Sequence, residues 1–145
     1  LLSASGRVVE AEGLLRESAR IQPTWGQVHY SLGLLLAEDT KRLPEAIRSL
    51  ERAAWHWPEN PRVTHNLAIA YWQSNRVEDA VRSFEQSIRL QPNNPEFLQR
   101  ISELLAQNDR WSEALPYLRR LVLLVPNEPS FKSFFEEANR QLGIR

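Results

Sequence analysis

The strongest constraint on the fold of this chain is an internal repeat of 34 or 35 residues. Pro23, Pro58, Pro92 and Pro126 are separated by 35, 34 and 34 residues. An alanine, a large apolar residue, an arginine and an acidic residue recur with the same spacing. These columns are Ala11, Ala46, Ala80 and Ala114; Leu15, Leu50, Phe84 and Leu118; Arg7, Arg42, Arg76 and Arg110; and Glu10, Glu45, Asp79 and Glu113. Five columns that agree to within one residue indicate a repeat architecture.

Each unit is predicted to contain two helices, which we call helix A and helix B. In the third unit, apolar residues recur at helical spacing over about 61–74 and again over 77–90. Ser74-Asn75 separates the two segments, and asparagine tolerates the left-handed backbone of a tight turn. Asn108-Asp109 and Ser5-Gly6 are predicted to form the equivalent turns in the fourth and first units. Each helix B ends before its proline, because the residue that precedes a proline is disfavoured in a helix.

The repeat predicts that residues 1–145 form one array. Its parts are a partial repeat that is mainly helix B (1–25), three repeats (26–60, 61–94 and 95–128) and a C-terminal capping helix (129–145). One extra residue between Asp39 and Leu43 lengthens the turn of the second unit, and Pro44 then lies in the first turn of helix B. The first helix B is expected to expose apolar surface unless an upstream helix covers it, whereas Ser130–Leu142 is expected to form a polar cap.

Within the units, the sequence resembles the tetratricopeptide repeat, with the pattern W-x2-L-G-x2-Y, A-x3-F and P. The second unit has His29, Leu32, Gly33, Leu36, Ala46, Leu50, Ala53 and Pro58; the third has Thr64, Leu67, Ala68, Tyr71, Ala80, Phe84, Ser87 and Pro92; the fourth has Leu98, Ile101, Ser102, Leu105, Ala114, Leu118, Leu121 and Pro126. The leading tryptophan is absent, and Ala68 and Ser102 replace glycine. The resemblance implies an all-α, right-handed superhelical solenoid of antiparallel helix pairs, with about 3.5 units and a cap. It also implies a non-enzymatic scaffold that binds a protein or peptide.

Composition is neutral and gives little indication of chemistry. Eighteen basic residues balance eighteen acidic ones, so no net field favours nucleic acid or an anionic membrane. The chain has no cysteine, which fits a cytoplasmic or a periplasmic compartment equally well. No apolar run is long enough to insert into a bilayer, and His29, His56 and His65 do not have metal-ligand spacing. We therefore expect no catalytic residues, cofactor or metal. Leu1 in place of methionine, and the absence of methionine elsewhere, indicate a processed or partial chain.

The partner is expected to bind along the exposed stripe of the A helices, which lines a concave groove in a solenoid. The stripe is identified by helical spacing on the side opposite to the residues that face helix B. The predicted groove residues are Tyr30, Leu34, Arg62, His65, Asn66, Ile69, Trp72, Gln99, Arg100 and Glu103. Tyrosine, tryptophan and arginine often dominate protein interfaces. The alternative is that Trp72 packs on a neighbouring helix and Tyr30 points to water.

A carboxylate-clamp function, which some tetratricopeptide modules use to bind a C-terminal carboxylate, is disfavoured. Asn66 and Arg100 match two clamp positions, but Tyr30, Leu34 and Glu96 replace the others, and Glu96 would repel the ligand.

A second apolar set, Trp25, Trp55, Trp57, Leu123 and Val125, lies at repeat edges where other units are polar. These residues either pack under turns or form a self-association edge. The rival functions are therefore a homo-oligomer or filament and, more weakly, a helper module of a larger enzyme chain.

Overall fold

Helices account for most of the molecule. The computed structural model describes residues 4–145, and within that range the chain forms α-helices and one short 3-10 helix without any strand. The α-helices are α1 (Ala4–Ile21), α2 (Gly26–Ala37), α3 (Leu43–His56), α4 (Pro61–Gln73), α5 (Val77–Leu90), α6 (Pro95–Gln107), α7 (Trp111–Leu124) and α8 (Pro129–Gln141). The bounds of α4 and α5 confirm the two helices predicted for the third unit.

The helices stack in chain order. Helix A and helix B of each pair pack against each other, as α2 does on α3, α4 on α5 and α6 on α7, and each helix B then packs on the next helix A. Contacts between sequence neighbours dominate, which is the defining property of a solenoid. The fold is therefore all-α and quasi-one-dimensional, as the repeat predicts.

Three of the A helices start with the same local chemistry. The side-chain oxygens of Asn60, Asn94 and Glu128 accept backbone N–H bonds from the second helical residue. A proline follows each of them at the first helical position, where its missing N–H costs no hydrogen bond. The sequence pair Asn-Pro or Glu-Pro therefore fixes where each of these helices begins.

The turns between paired helices follow the sequence prediction in the third and fourth units and depart from it in the first. Asn75 and Asp109 adopt left-handed backbone, with φ of 58° and 55°, as expected for a tight helix-helix turn. In the second unit the extra residue is accommodated by a 3-10 turn at Thr40–Arg42. The turn predicted at Ser5-Gly6 is wrong, because both residues lie inside α1; neither residue type prevents a helix from continuing.

Close approach of paired helices explains the small residues. Ala46, Ala80 and Ala114 are fully buried, and a Cβ on Gly33 would lie 2.6 Å from Cγ of Leu50. Ser102 occupies the glycine position in its unit and satisfies its hydroxyl by donating to the carbonyl of Leu98 at 2.7 Å. The core between the pairs is filled by large side chains, among them Phe84, Phe97, Leu98, Ile101 and Leu118.

The two ends of the array differ in how far their apolar side chains are covered. No described residue of α1 is buried, and Val9, Leu14 and Ile21 are each more than 60% exposed. This is the apolar exposure expected of a helix B without its helix A. At the other end, α8 buries Ala138 and half-buries Phe131, Phe134 and Phe135 against the core. The division at residues 25, 60, 94 and 128 stays a prediction.

Candidate protein-binding surface

Side chains of successive A helices meet on one face of the solenoid. The amide nitrogen of Asn66 on α4 donates a hydrogen bond of 2.8 Å to the hydroxyl of Tyr30 on α2. The same nitrogen donates to the carbonyl of Arg62 at 3.0 Å. Both amide hydrogens are therefore used, and the Oδ1 atom of Asn66 remains as an acceptor on this surface.

An ion pair makes the next connection, from α4 to α6. Nη1 of Arg62 lies 2.7 Å from a carboxylate oxygen of Glu96, and the guanidinium lies 5.3 Å from the ring centroid of Phe97. Both charged side chains are about half exposed, so the pair contributes little to the free energy of unfolding. Its main effect is to fix the positions of the Arg62 and Glu96 side chains along this face, where each neutralises the charge of the other.

A third cluster extends the face along α6. Nε2 of Gln99 donates to Glu103 at 2.8 Å, and Nη1 of Arg100 lies 3.1 Å from the other oxygen of Glu103. The carbonyl oxygen of Gln99 is again left as an acceptor. We call these three sets of residues together the polar strip: Tyr30, Asn66, Arg62, Glu96, Gln99, Arg100 and Glu103.

The structure corrects the placement of His65. This residue was predicted to be exposed in the groove, but its side chain is only 1% exposed. The ring stacks on Phe97 with centroids 4.5 Å apart and meets Phe84 edge-on at 5.3 Å. Neither ring nitrogen has a hydrogen-bond partner. Burial lowers the pKa of His65 to about 4, against the opposing effect of the Glu96 carboxylate 3.6 Å away.

The other apolar residues predicted for the groove are divided between core and surface. Trp72 is half-buried and meets Phe84 edge-on at 6.3 Å, which is the packing alternative considered for it. Ile69 and Tyr30 also pack partly on the core, and Tyr30 meets Trp57 edge-on. Leu34 is 38% exposed. The predicted cluster of Tyr30, His65, Ile69 and Trp72 therefore supplies more packing than free surface.

The solenoid is tighter on the side of the A helices. Side chains bridge α2, α4 and α6 directly, as described above. On the opposite face, grooves of about 500 Å³ and 580 Å³ separate neighbouring B helices, with residues of α2 and α4 at their floors. A stack that is closer on one side curves toward that side, and the location of the polar strip on an inner, concave face stays a prediction.

The predicted self-association edge does not form one patch. Trp55, Leu123 and Trp25 are 82%, 75% and 50% exposed, whereas Trp57 and Val125 are half-buried. Trp57 packs closely on the start of α2, because a Cβ added to Gly26 would lie 2.7 Å from the Cβ of Trp57. Trp55 on α3 and Leu123 on α7 are separated by the intervening helix B, α5.

Sequence reasoning noted Glu96 at a clamp position of the groove but missed its ion pair with Arg62, and it left Phe97 out of the candidate site. Glu96 stands 34 residues after Arg62, which places the two at the same position of successive units. Opposite charges one repeat apart on the A helices were therefore a usable indication of the ion pair.

Two further observations concern other kinds of site. In residues 4–145, no three histidine, aspartate or glutamate side chains are grouped so that they could hold a metal ion. None of the helices described is both long enough and apolar enough to cross a bilayer.

Paired helices stacked in register, with a small residue at each crossing and proline after each helix B, define an α-solenoid of the helix-pair type. Two profiles of the tetratricopeptide repeat match the sequence, over residues 65–129 and 35–86. The chain belongs to the tetratricopeptide repeat family. Members of this class are protein-interaction scaffolds whose stacked repeats present extended binding surfaces. No curated protein matches the sequence closely enough to count as a relative.

Several solved structures share the fold. A crystal structure of MamA has 13% identity and a TM-score of 0.85, with 97% of this chain and 82% of that chain covered. A D159K mutant of MamA has 28% identity and a TM-score of 0.71, with 83% and 69% covered. A tetratricopeptide repeat protein from Parabacteroides merdae has 19% identity and a TM-score of 0.84, and 96% of this chain covers 55% of that chain.

Proposed function

We propose that this chain is a non-enzymatic scaffold that binds an extended segment of another protein along the polar strip. The observation that carries the proposal is the pair of amide oxygens on successive A helices, Asn66 Oδ1 and Gln99 Oε1, whose own N–H groups are held by Tyr30 and Glu103. An extended segment presents unpaired backbone N–H groups, which need such acceptors when they leave water.

The charges of the strip indicate what kind of segment fits. Arg62 is paired with Glu96, and Arg100 with Glu103, so the surface does not need a charged ligand to neutralise it. A segment of low or mixed charge is favoured. The negative charge of Glu96, which disfavours a carboxylate clamp, is thus already paired with Arg62.

The test starts from a random peptide library displayed on phage, because such a library samples segments of every charge and composition. Peptides selected on the folded chain are measured by calorimetry against the parent, Asn66→Ala and Gln99→Ala. Each variant should weaken binding by about 1–2 kcal/mol, the cost of an unmade hydrogen bond. Arg82→Ala is the matched control, since Arg82 is exposed on α5, where it pairs with Asp79.

The result that contradicts the proposal is equal affinity of Asn66→Ala, Gln99→Ala and parent for the selected peptides. A loss in Arg82→Ala would likewise indicate binding on the opposite face. Circular dichroism of each variant separates a loss of binding from a loss of folding.

Self-association is a second candidate, supported by the exposed apolar side chains. Trp55 and Leu123 are the most exposed large apolar residues among those described, and α1 adds Val9 and Leu14. Association through such surfaces persists at high salt, whereas exposed ion pairs are screened. Sedimentation velocity over a range of concentrations should show a parent oligomer that Trp55→Gln or Leu123→Gln weakens. A parent that stays monomeric at the highest concentration would contradict self-association.

A further inference from the structure

The groove between α1 and α3 is lined by basic side chains without an acidic one among its lining residues, whereas its counterpart one repeat later has both. Arg16 and Arg20 of α1 face Arg52 and His56 of α3, with His29 of α2 at the floor of a cavity of about 500 Å³. We call this the α1–α3 groove. In the equivalent groove between α3 and α5, Glu51 and Trp55 stand in place of Arg16 and Arg20. That groove also contains Arg82 and Arg89, but Glu51 and Glu85 offset them, so the excess of basic residues belongs to the α1–α3 groove and not to the repeat in general.

Two of the three arginines are neutralised within the chain. Arg16 pairs with Glu12 at 2.9 Å and with Glu45 at 2.8 Å, and Arg20 pairs with Glu17 at 2.6 Å. The guanidinium of Arg52 has no hydrogen bond or ion pair with any residue in 4–145. A cation on the wall of a groove and without a counter-charge is available to an external anion.

The equivalent arginine two units later has a partner within the chain. Arg120 occupies the same position two units later, and its guanidinium donates a hydrogen bond to the carbonyl of Pro92. The corresponding carbonyl in the first groove is that of Pro23, and it already accepts from Nε2 of His29 at 2.7 Å. A carbonyl can only accept, so Nε2 of His29 carries the proton. Leu98 stands at the His29 position in the fourth unit, so no imidazole shares that carbonyl with Arg120.

His56 completes the donor set beside Arg52. Its exposed ring stacks on that of His29, with centroids 6.0 Å apart and planes 23° apart. Arg52 and His56 lie one turn apart on α3, and Arg16 and Arg20 lie one turn apart on α1. Donors therefore come from two facing walls. A planar carboxylate offers two oxygens, whereas a phosphoryl group offers three in a tetrahedral arrangement that can be reached from both sides.

We propose that the α1–α3 groove binds a phosphoryl group, held mainly by Arg52 with His56, while Arg16 and Arg20 donate from the opposite wall with the Nη1 atoms that their ion pairs do not use. The site lies on the face opposite the polar strip and so does not depend on the proposed function of that strip. A phosphorylated partner could occupy it while an extended segment occupies the inner face.

The site is tested by titrating isotopically labelled protein with inorganic phosphate at constant ionic strength, with chloride as the matched anion, and following backbone amides by NMR. Saturable shifts are expected in residues 16–22 and 52–57, with a dissociation constant of the order of 1 mM for the free anion. Arg52→Gln should weaken binding about tenfold, the loss of one charge-assisted hydrogen bond. Arg120→Gln, the equivalent residue whose donor is already used, should leave binding unchanged.

A second arm compares a phosphoserine peptide with the same peptide carrying glutamate. Tighter binding of the phosphoserine peptide than of inorganic phosphate identifies a phosphorylated protein as the source, and equal binding identifies the free anion; either result supports the site. The proposal is overturned by shifts that chloride reproduces, by Arg52→Gln binding phosphate like the parent, or by a glutamate peptide that binds as tightly as the phosphoserine peptide.

Discussion

Gly33 and Gly13 both lie inside helices, yet their surroundings are opposite. A Cβ on Gly33 would meet Cγ and Cδ2 of the buried Leu50 at 2.6 Å and 2.8 Å, whereas a Cβ on Gly13 meets nothing within 4 Å. The close crossing of α2 and α3 requires glycine at position 33. At position 13 glycine only adds conformational freedom to the unfolded chain.

Alanine substitutions at these two positions should therefore change the free energy of unfolding in opposite directions. Gly33→Ala forces Leu50 or the helix crossing to move and should destabilise the fold by about 1–3 kcal/mol. Gly13→Ala should stabilise it by about 0.5–1 kcal/mol. Urea denaturation gives both values, and a Gly33→Ala midpoint equal to that of the parent would mean that the α2–α3 crossing is looser than described.

His65 should make the stability of the fold depend on pH. In the unfolded chain its pKa is near 6.5, whereas burial lowers the folded pKa to about 4; Glu96 opposes this shift and Arg62 and Arg100 reinforce it. Between these values the unfolded state binds a proton that the folded state does not. The free energy of unfolding therefore falls as pH drops through this window, by about 3 kcal/mol when complete.

A His65→Leu variant isolates this contribution, because all carboxylates that titrate in the same range are still present. Urea denaturation at about pH 7 and about pH 4.5 should show a smaller loss of stability in the variant than in the parent. At the higher pH the variant should be at least as stable, since it removes two buried nitrogens without partners. Equal losses in the two proteins would show that His65 is accessible to solvent.

The burial of His65 also shows which property of a single residue could not be predicted from the sequence. Helical spacing correctly separates residues that face their own helix B from those that do not. It does not distinguish solvent from the next unit, and His65 faces Phe97 of α6. Gly33, in contrast, was predictable, because its partner Leu50 belongs to the same unit.

At the scale of helices, the arginine and acidic columns of the sequence correspond to ion pairs at the starts of α3, α5 and α7. Arg42, Arg76 and Arg110 precede α3, α5 and α7 and pair with Glu45, Asp79 and Glu113. Two of these arginines also reach the previous helix B, Arg42 to Glu12 and Arg110 to Glu78. Arg76 instead lies over the ring of Tyr71. The columns were visible in the sequence, but their contacts between repeats were not.

The Arg42–Glu12 pair should be the main polar restraint on α1. Nη1 and Nη2 of Arg42 each lie 2.7 Å from a carboxylate oxygen of Glu12, and these hydrogen bonds hold the pKa of that carboxyl near 2. Since α1 has no buried residue, Glu12→Gln should increase amide hydrogen exchange in α1 and leave α4 and α5 unchanged. The matched control is Glu17→Gln, which removes a pair within α1 alone. Faster exchange throughout the chain would contradict this local role.

At the scale of the whole molecule, the period of the sequence determines the fold, because each unit packs mainly on its neighbours. The identity of the inner face follows from the same pattern. The chemistry of that face does not, because it is assembled from contacts one repeat apart, such as Asn66 with Tyr30 and Arg62 with Glu96. The exposure of Trp55 and the half-burial of Trp57 were equally hidden, since the two residues stand only two positions apart at the end of α3.

The central claim, that the polar strip is the binding surface, is tested most directly by hydrogen exchange with a peptide selected on the folded chain. Bound peptide should slow exchange of its own amides and of segments along the inner face, in α2, α4 and α6, and leave the exposed sides of α3, α5 and α7 unchanged. Protection that is confined to the B helices, or that persists unchanged in the combined Asn66→Ala and Gln99→Ala variant, would contradict it.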